Sequence, residues 1–171
     1  MADVVAVLNA GSSSLKFSLY RSDDAALALL TRGQAEGLFT SPKFVAKDGG
    51  GKVVDEKSWD AGTKLGHEGA LEHLVAFIRD RFSEHRLVAV GHRVVHGGPE
   101  YAKPVRIDAG IIRALEKYVP LAPLHQPHNL APIKAILERT PALPQVACFD
   151  TAFHRNQPPV AQGFALPKSI T

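Results

Sequence analysis

The sequence contains a single cysteine, Cys148, so no disulfide can form within the chain and the fold must be held by its core. Cys148 lies in the apolar run Val146–Phe149, which predicts a buried, inert thiol. Aromatic residues are sparse at 7%, the formal excess of positive charge is only +3, and the Lys and Arg residues are scattered rather than run together. Nucleic-acid binding is not favoured by such a pattern, whereas an anionic small substrate suits it. No apolar stretch approaches the roughly 20 residues of a membrane span. The run Val4–Leu8 is short, preceded by Asp3 and followed by polar residues, unlike a secretion signal. The cytoplasm is therefore the expected compartment, with no membrane partner. With 45% hydrophobic and 22% charged residues over 171 positions, the chain can build one domain with a substantial core.

Periodicity supplies the elements. Val4–Leu8 reads as a buried strand entering the turn at Asn9-Ala10-Gly11, and Leu15–Tyr20 alternates as the returning strand. Ala25–Gly37 is expected to be a third strand, with helix as the competing reading. Lys43–Lys47 and Lys52–Lys57 flank Gly49-Gly50-Gly51 and form a second hairpin whose polar strands suit a sheet edge. His67–Phe82 places Leu71, Leu74, Val75, Ile78 and Phe82 on one helical stripe. Leu87–Val95 reads as a buried strand ended by Gly97-Gly98-Pro99. Asp108 is a good N-cap for a helix carrying Ile111, Ile112 and Leu115, broken by Pro120 and Pro123. Asn129 could cap a further helix, with Pro132 tolerated in its first turn. Gln145–Phe149 is the last core strand, and Gln157–Thr171 holds no complete element. Hairpins first and helical crossovers later make this an α/β domain with a mixed sheet.

Four segments carry residues suited to chemistry. In Asn9–Lys16, small residues let backbone N–H groups approach an anion, Ser12 and Ser14 add hydroxyl donors, and Lys16 brings a positive charge. The segment is not a G-x-x-x-x-G-K-[ST] loop, and a polar hairpin turn is the competing reading. In Gly91–Gly98, strand alternation sends Arg93 and Val95 one way and His92, Val94 and His96 the other. A guanidinium that can fork onto a carboxylate, beside an apolar side chain, suits a short-chain acid. His92 and His96 are spaced as in H-E-x-x-H, but Arg93 stands where the Glu belongs and the segment reads as strand, which argues against zinc. Leu124–Asn129 is a proline-bounded loop. Turn and capping chemistry accounts for His128 and Asn129, while His125, beside a helix N-terminus, could donate to an anion. Asp150 stands where a core strand ends, the place where ligands gather in open α/β sheets. It could hold Mg2+ or orient a nucleophile; alternatively, it or Thr151 caps a helix.

In this order, N-x-G-S-S-S-L-K-F, G-H-R-V-V-H-G-G, P-L-H-x-P-H-N and F-D-T-A-F-H closely resemble the acetate kinase family, over essentially the whole chain. The resemblance implies membership of the sugar kinase, Hsp70 and actin superfamily, whose members usually carry Asp where this chain has Asn9. It implies a ribonuclease H-like (actin-like ATPase) lobe over residues 1–150, with 151–171 starting the connection to a C-terminal nucleotide-binding lobe. It further implies a homodimer, ATP/ADP as co-substrate, Mg2+ with Mn2+ as an alternative, and reversible phosphoryl transfer from ATP to acetate giving acetyl phosphate and ADP. Carried over by motif, Asn9 would help hold Mg2+ and the transferring phosphate. Ser12, Ser14 and Lys16 would lie on the phosphate side, and Arg93 would bind the substrate carboxylate or phosphate. Val95 and Leu124 would line the pocket for the methyl group, and His125 would donate to the transferred phosphoryl.

Asp150 takes the position of the family's catalytic acid or base. Acetate, with a carboxyl pKa of about 4–5 as in Asp and Glu, is already ionised at neutral pH and needs no general base. Asp150 is better suited to organising Mg2+ or positioning groups for in-line transfer. Propionate or butyrate is an alternative substrate, because one methylene shifts preference by only about 1–3 kcal/mol. A non-catalytic lobe that binds an anion or dimerises is the alternative from another class. By the same resemblance, the nucleotide-binding residues, a second His, a second Arg and a Glu metal ligand lie further on, so the chain alone is expected to lack kinase activity.

Overall fold

Apolar residues alternate along Leu15–Tyr20, whereas in the apolar run Val4–Leu8 it is the burial that alternates, leaving Val7, expected to be buried, 40% exposed. A computed structural model describes residues 1–23, 26–163, 165–167 and 169–170; Ala25, the expected first residue of the third strand, lies outside them. Five strands run as an antiparallel meander: β1 (Ala2–Ala10), β2 (Ser14–Asp23), β3 (Ala26–Glu36), β4 (Lys43–Asp48) and β5 (Val53–Ser58). The chain then crosses through α1 (Gly66–Arg81) to β6 (His85–Val94), which pairs parallel to β1. β7 (Val105–Arg106), α2 (Ala109–Glu116) and α3 (Gln126–Arg139) precede β8 (Gln145–Phe149), which pairs parallel to β6. Among the described residues the sheet has eight strands in the order β5-β4-β3-β2-β1-β6-β8-β7.

Both cores lie on one face of this sheet. Val4, Ala6, Leu8, Leu15, Phe17 and Leu19 pack against Leu71, Leu74 and Phe77 of α1. Rings of Phe17, Phe44 and Phe77 meet with centroids 5.5 to 6.0 Å apart, a geometry that adds to simple burial. Under the other half, Val94, Ala147 and Phe149 pack against Ile112 and Leu115 of α2 and Leu130 and Ile133 of α3. The opposite face stays open at Val7, Lys16, Arg32, Arg93 and Cys148. No described helix is long and apolar enough to cross a membrane.

Several expectations change in detail. Val75, expected in the apolar stripe of α1, is 52% exposed, because the helix buries the arc through Ala70, Leu71, Leu74 and Phe77 and Val75 falls on its flank. Cys148 is exposed, not buried: β8 turns Ala147 and Phe149 inward, so Cys148 points to the open face. Asn129 does not cap α3. The helix already begins at Gln126, with His125 as N-cap and Pro127 in the first turn, where a fixed φ favours helix initiation. Pro132 consequently sits inside the helix and withholds the N–H that the His128 carbonyl would otherwise receive. The described residues of 157–171 include one helical turn, α4 (Pro159–Gln162), where no complete element was expected. Asp108 caps α2 as expected, accepting from the Ile111 N–H at 2.8 Å.

Two histidines are packed among these elements. His92 is 3% exposed, and its Nε2 lies 2.8 Å from the Gln145 Oε1 it donates to. Burial pushes its pKa down from 6.5 to about 4, only partly offset by the Gln145 bond. His73, between the rings of Phe44 and Trp59, has its pKa lowered mainly by burial, and its Nε2 has no partner. A folded-state pKa below the unfolded value gives stability that is complete above about pH 6.5 and is lost as pH falls towards 4. For His92 that loss amounts to about 3 kcal/mol. Urea unfolding at pH 7 and pH 4 tests this. His92→Asn should cut the acid-induced loss of stability by most of that amount, leaving the contributions of the other groups with lowered pKa values, His73 and His128 among them; an unchanged pH dependence would show that His92 titrates normally.

Candidate functional site

β1 and β6 run parallel from Ala2 and His85 as far as Leu8 and His92, and functional side chains cluster where that ladder ends. Alternation turns Asn9 and Arg93 to the open face, as it turns His92 and Val94 into the core. Asn9, Arg93 and Asp150 meet there. Arg93 Nε lies 2.9 and 3.0 Å from the two Asp150 carboxylate oxygens, its Nη2 also donates to Oδ2, and its Nη1 donates to Asn9 Oδ1 at 3.2 Å. The Asp150 carboxylate raises the Arg93 pKa further above its already high range. With side chains 49% and 40% exposed, this ion pair is worth only about 0.2–1 kcal/mol. An incoming anion can therefore take the guanidinium from Asp150 at small cost.

Asp150 does not serve as a helix cap. The short 3-10 segment Asp150–Asn156 has no side-chain cap. Instead it is stitched to the end of β6: the Thr151 N–H donates to the Val95 carbonyl at 3.3 Å, Thr151 Oγ1 accepts from the Gly97 N–H at 3.0 Å, and Arg155 Nη2 donates to the Gly98 carbonyl at 2.8 Å. Gly98 has φ of 60° and a Cβ there would land on the Tyr118 ring, so this turn requires glycine.

The Asn9–Lys16 turn lies beside this cluster. Lys16 stands directly across from Asn9 in the β1–β2 register. Ser12 is exposed and Ser14 half-buried. The Gly11 N–H donates to the Ser14 carbonyl at 2.8 Å, and His67 Nε2, from the first turn of α1, donates to the Gly11 carbonyl at 2.6 Å. His67 stacks on His128 at 5.1 Å. Burial first, then the neighbouring His67 and His125, lower the pKa of His128. Val95 is half-buried at the strand end. Leu124, 73% exposed, and His125 sit on the loop entering α3, outside the hydrogen-bonded cluster of Asn9, Arg93 and Asp150.

The residues that hold this arrangement together were not expected from the sequence. Asn129 is 4% exposed; its Nδ2 donates to the Ala10 carbonyl at 2.6 Å and its Oδ1 accepts from the Val95 N–H at 2.9 Å. Gln126, fully buried, donates to the His96 and Leu115 carbonyls and accepts from the His96 N–H. These two amides, three residues apart on one helical face, close the strand ends. A helix start placed at Gln126, just before Pro127, puts them on one face.

Asn9 and Asp150 present an amide oxygen and a carboxylate at one place. That set fits part of a shell for Mg2+, which takes oxygen ligands, keeps several waters and is shared with phosphates. Among the described residues, no group of three His, Cys, Asp or Glu side chains could hold a metal by itself.

Asn129→Ala is expected to leave the Ala10 carbonyl and the Val95 N–H without partners, at about 1–3 kcal/mol each. Hydrogen exchange reads this locally: the Val95 amide should lose protection more than the amides of β3 and β4. Uniform loss across the sheet would deny Asn129 its local role.

The profile of the acetokinase family matches residues 4–171. A protein named acetate kinase from Rhodopseudomonas palustris is 45% identical across the whole chain, which spans 43% of that relative's length; one from Nitrobacter hamburgensis is 42% identical over 96% of the chain and 41% of its own length. Among solved structures, an acetate kinase from Porphyromonas gingivalis superposes with a TM-score of 0.82 at 33% identity, over 99% of this chain and 42% of that one. A propionate kinase from Francisella tularensis gives 0.81 at 35% identity, over 98% and 42%.

Proposed function

The chain belongs to the acetokinase family, and on that premise we propose that it is the acid-holding part of an enzyme transferring a phosphoryl group reversibly between ATP and acetate. One observation carries this reading: Asn9, Arg93 and Asp150 converge on an open surface at the ends of parallel strands. A guanidinium already bonded to a carboxylate in two places can fork onto another carboxylate or a phosphate. Val95, next along the same face, would then touch the short alkyl group. Ser12, Ser14 and Lys16 would face the phosphate, and His125 and Leu124 would approach from the α3 loop. Asn9 and Asp150 would supply oxygens to Mg2+, which neutralises phosphate charge when bound. Asp150 also returns Arg93 to a defined position each time the substrate leaves.

The ionised substrate needs no base, so the work of these residues is alignment and charge neutralisation. The chain spans about two-fifths of the length of the relatives it matches. The nucleotide-binding residues, the pairing into a homodimer and the cytoplasmic setting of the whole protein belong to the same proposal. The close fit of a propionate kinase structure keeps propionate as a second candidate acid, since one methylene changes preference by only about 1–3 kcal/mol.

Calorimetric titration with acetyl phosphate tests the reading. The 171-residue chain should bind it, and Arg93→Ala should weaken binding at least tenfold, as expected for the loss of a charge-assisted pair. Unchanged binding would end the proposal. Given ATP, Mg2+ and acetate, the chain alone should form no acetyl phosphate above background in a hydroxamate assay.

A further inference from the structure

The open face of the sheet carries charge that the Arg93 cluster does not use. Lys16, Arg32 and Lys47 stand on β2, β3 and β4, all exposed on that face. The register sets Ser18 opposite Arg32, Arg32 opposite Lys47, and Lys16 opposite Gln34. Like charges directly opposite across strands destabilise a sheet, so this row carries a cost in the empty protein. Two acids of the same face are committed elsewhere: Glu36 accepts from Gln34 Nε2 at 2.8 Å, and Glu56 pairs with Lys43 at 2.7 Å. Among the described residues, none of the three cations has an ion-pair partner. Together they line a groove of about 530 Å³ with Ser18 and Val45, and among the described residues no acidic one lines it.

We propose that this groove binds a condensed phosphate, two or three phosphoryl units long, separately from the Arg93 cluster. Strands lie about 4.8 Å apart, so the row Ser18–Arg32–Lys47 spreads its donors over about 10 Å. That is too wide for one orthophosphate and suits linked phosphates, which the forked guanidinium of Arg32 can grip at the centre. Four strand steps, about 19 Å, separate Lys47 on β4 from Arg93 on β6, so a single phosphate cannot bridge the two. Lys16 is the one residue shared with the phosphoryl-transfer reading, and the rest of the groove stands without it. The only ring in the lining is that of Phe17, which is 5% exposed. The groove therefore offers nothing for bases to stack on, and a single-stranded nucleic acid would lack its main attraction.

Inorganic pyrophosphate is the probe, titrated calorimetrically into the 171-residue chain at low salt. Arg32→Ala and Lys47→Ala should each weaken its binding about tenfold, orthophosphate should bind about tenfold more weakly than pyrophosphate, and Arg93→Ala should weaken pyrophosphate binding far less than either. Without ligand, Lys47→Glu should raise the melting temperature by relieving the like-charge pair. Adenosine triphosphate binding no more tightly than tripolyphosphate would support recognition through phosphate alone. Three results would overturn the proposal: no binding of pyrophosphate; binding lost in Arg93→Ala but kept in Arg32→Ala and Lys47→Ala; or an oligothymidine binding more tightly than pyrophosphate. Acetyl phosphate binding that ignores Arg93→Ala would sink the phosphoryl-transfer reading and leave the groove untouched.

Discussion

The buried amide of Asn129 is the interaction on which the arrangement depends. Parallel pairing between β1 and β6 stops at Leu8 and His92, yet the backbone continues in both strands, and its N–H and C=O groups still need partners. Asn129 supplies an acceptor to Val95 and a donor to Ala10 from one planar group. An ionised carboxylate, which only accepts, could not do both. Gln126 repeats the device at His96. The strand ends are thereby held at a fixed separation without being hydrogen-bonded to each other, and Asn9 and Arg93 take their positions from that separation.

Rigid scaffold and exchangeable charge are divided between the two faces of the same strand. On the inner side of β6, His92 is bonded to Gln145 and kept neutral by burial. On the outer side, Arg93 is charged, half-exposed and paired with Asp150 by bonds that solvent weakens. Neighbouring positions in the chain thus serve opposite ends, and strand alternation is what allows it. A buried Arg–Asp pair would resist an incoming anion, because separating it would cost several kcal/mol; the exposed one does not.

Much of this could be read from residue order. The strand read in the apolar run Val4–Leu8, the alternation in Leu15–Tyr20, the Gly49–Gly51 hairpin and the Asp108 cap formed as expected, except that Val7 is 40% exposed on the open face instead of buried. So did the opposed directions of His92 and Arg93, and the proximity of Asn9, Arg93 and Asp150 is a direct result of that alternation at adjacent strand ends. The support behind them was hidden for a specific reason. Assigning Asn129 to a cap shifted the start of α3 by one turn, which hid that Gln126 and Asn129 face inward together. His67 was hidden because its bond to Gly11 spans 56 residues. Cys148 was misplaced because an apolar run implies burial on both sides, while this sheet is covered on one.

The two edges of the sheet differ from its middle. β5 presents Asp55, Glu56 and Lys57 along its length, and at the far side β7 contributes only Val105 and Arg106. A strand from another molecule approaching β5 would have to bring its backbone into a line of consecutive charged residues, and at β7 it would find two residues to pair with. Unpaired sheet rims of this kind are poor templates for intermolecular strand addition, so neither margin of the described sheet invites other chains to extend it into fibres.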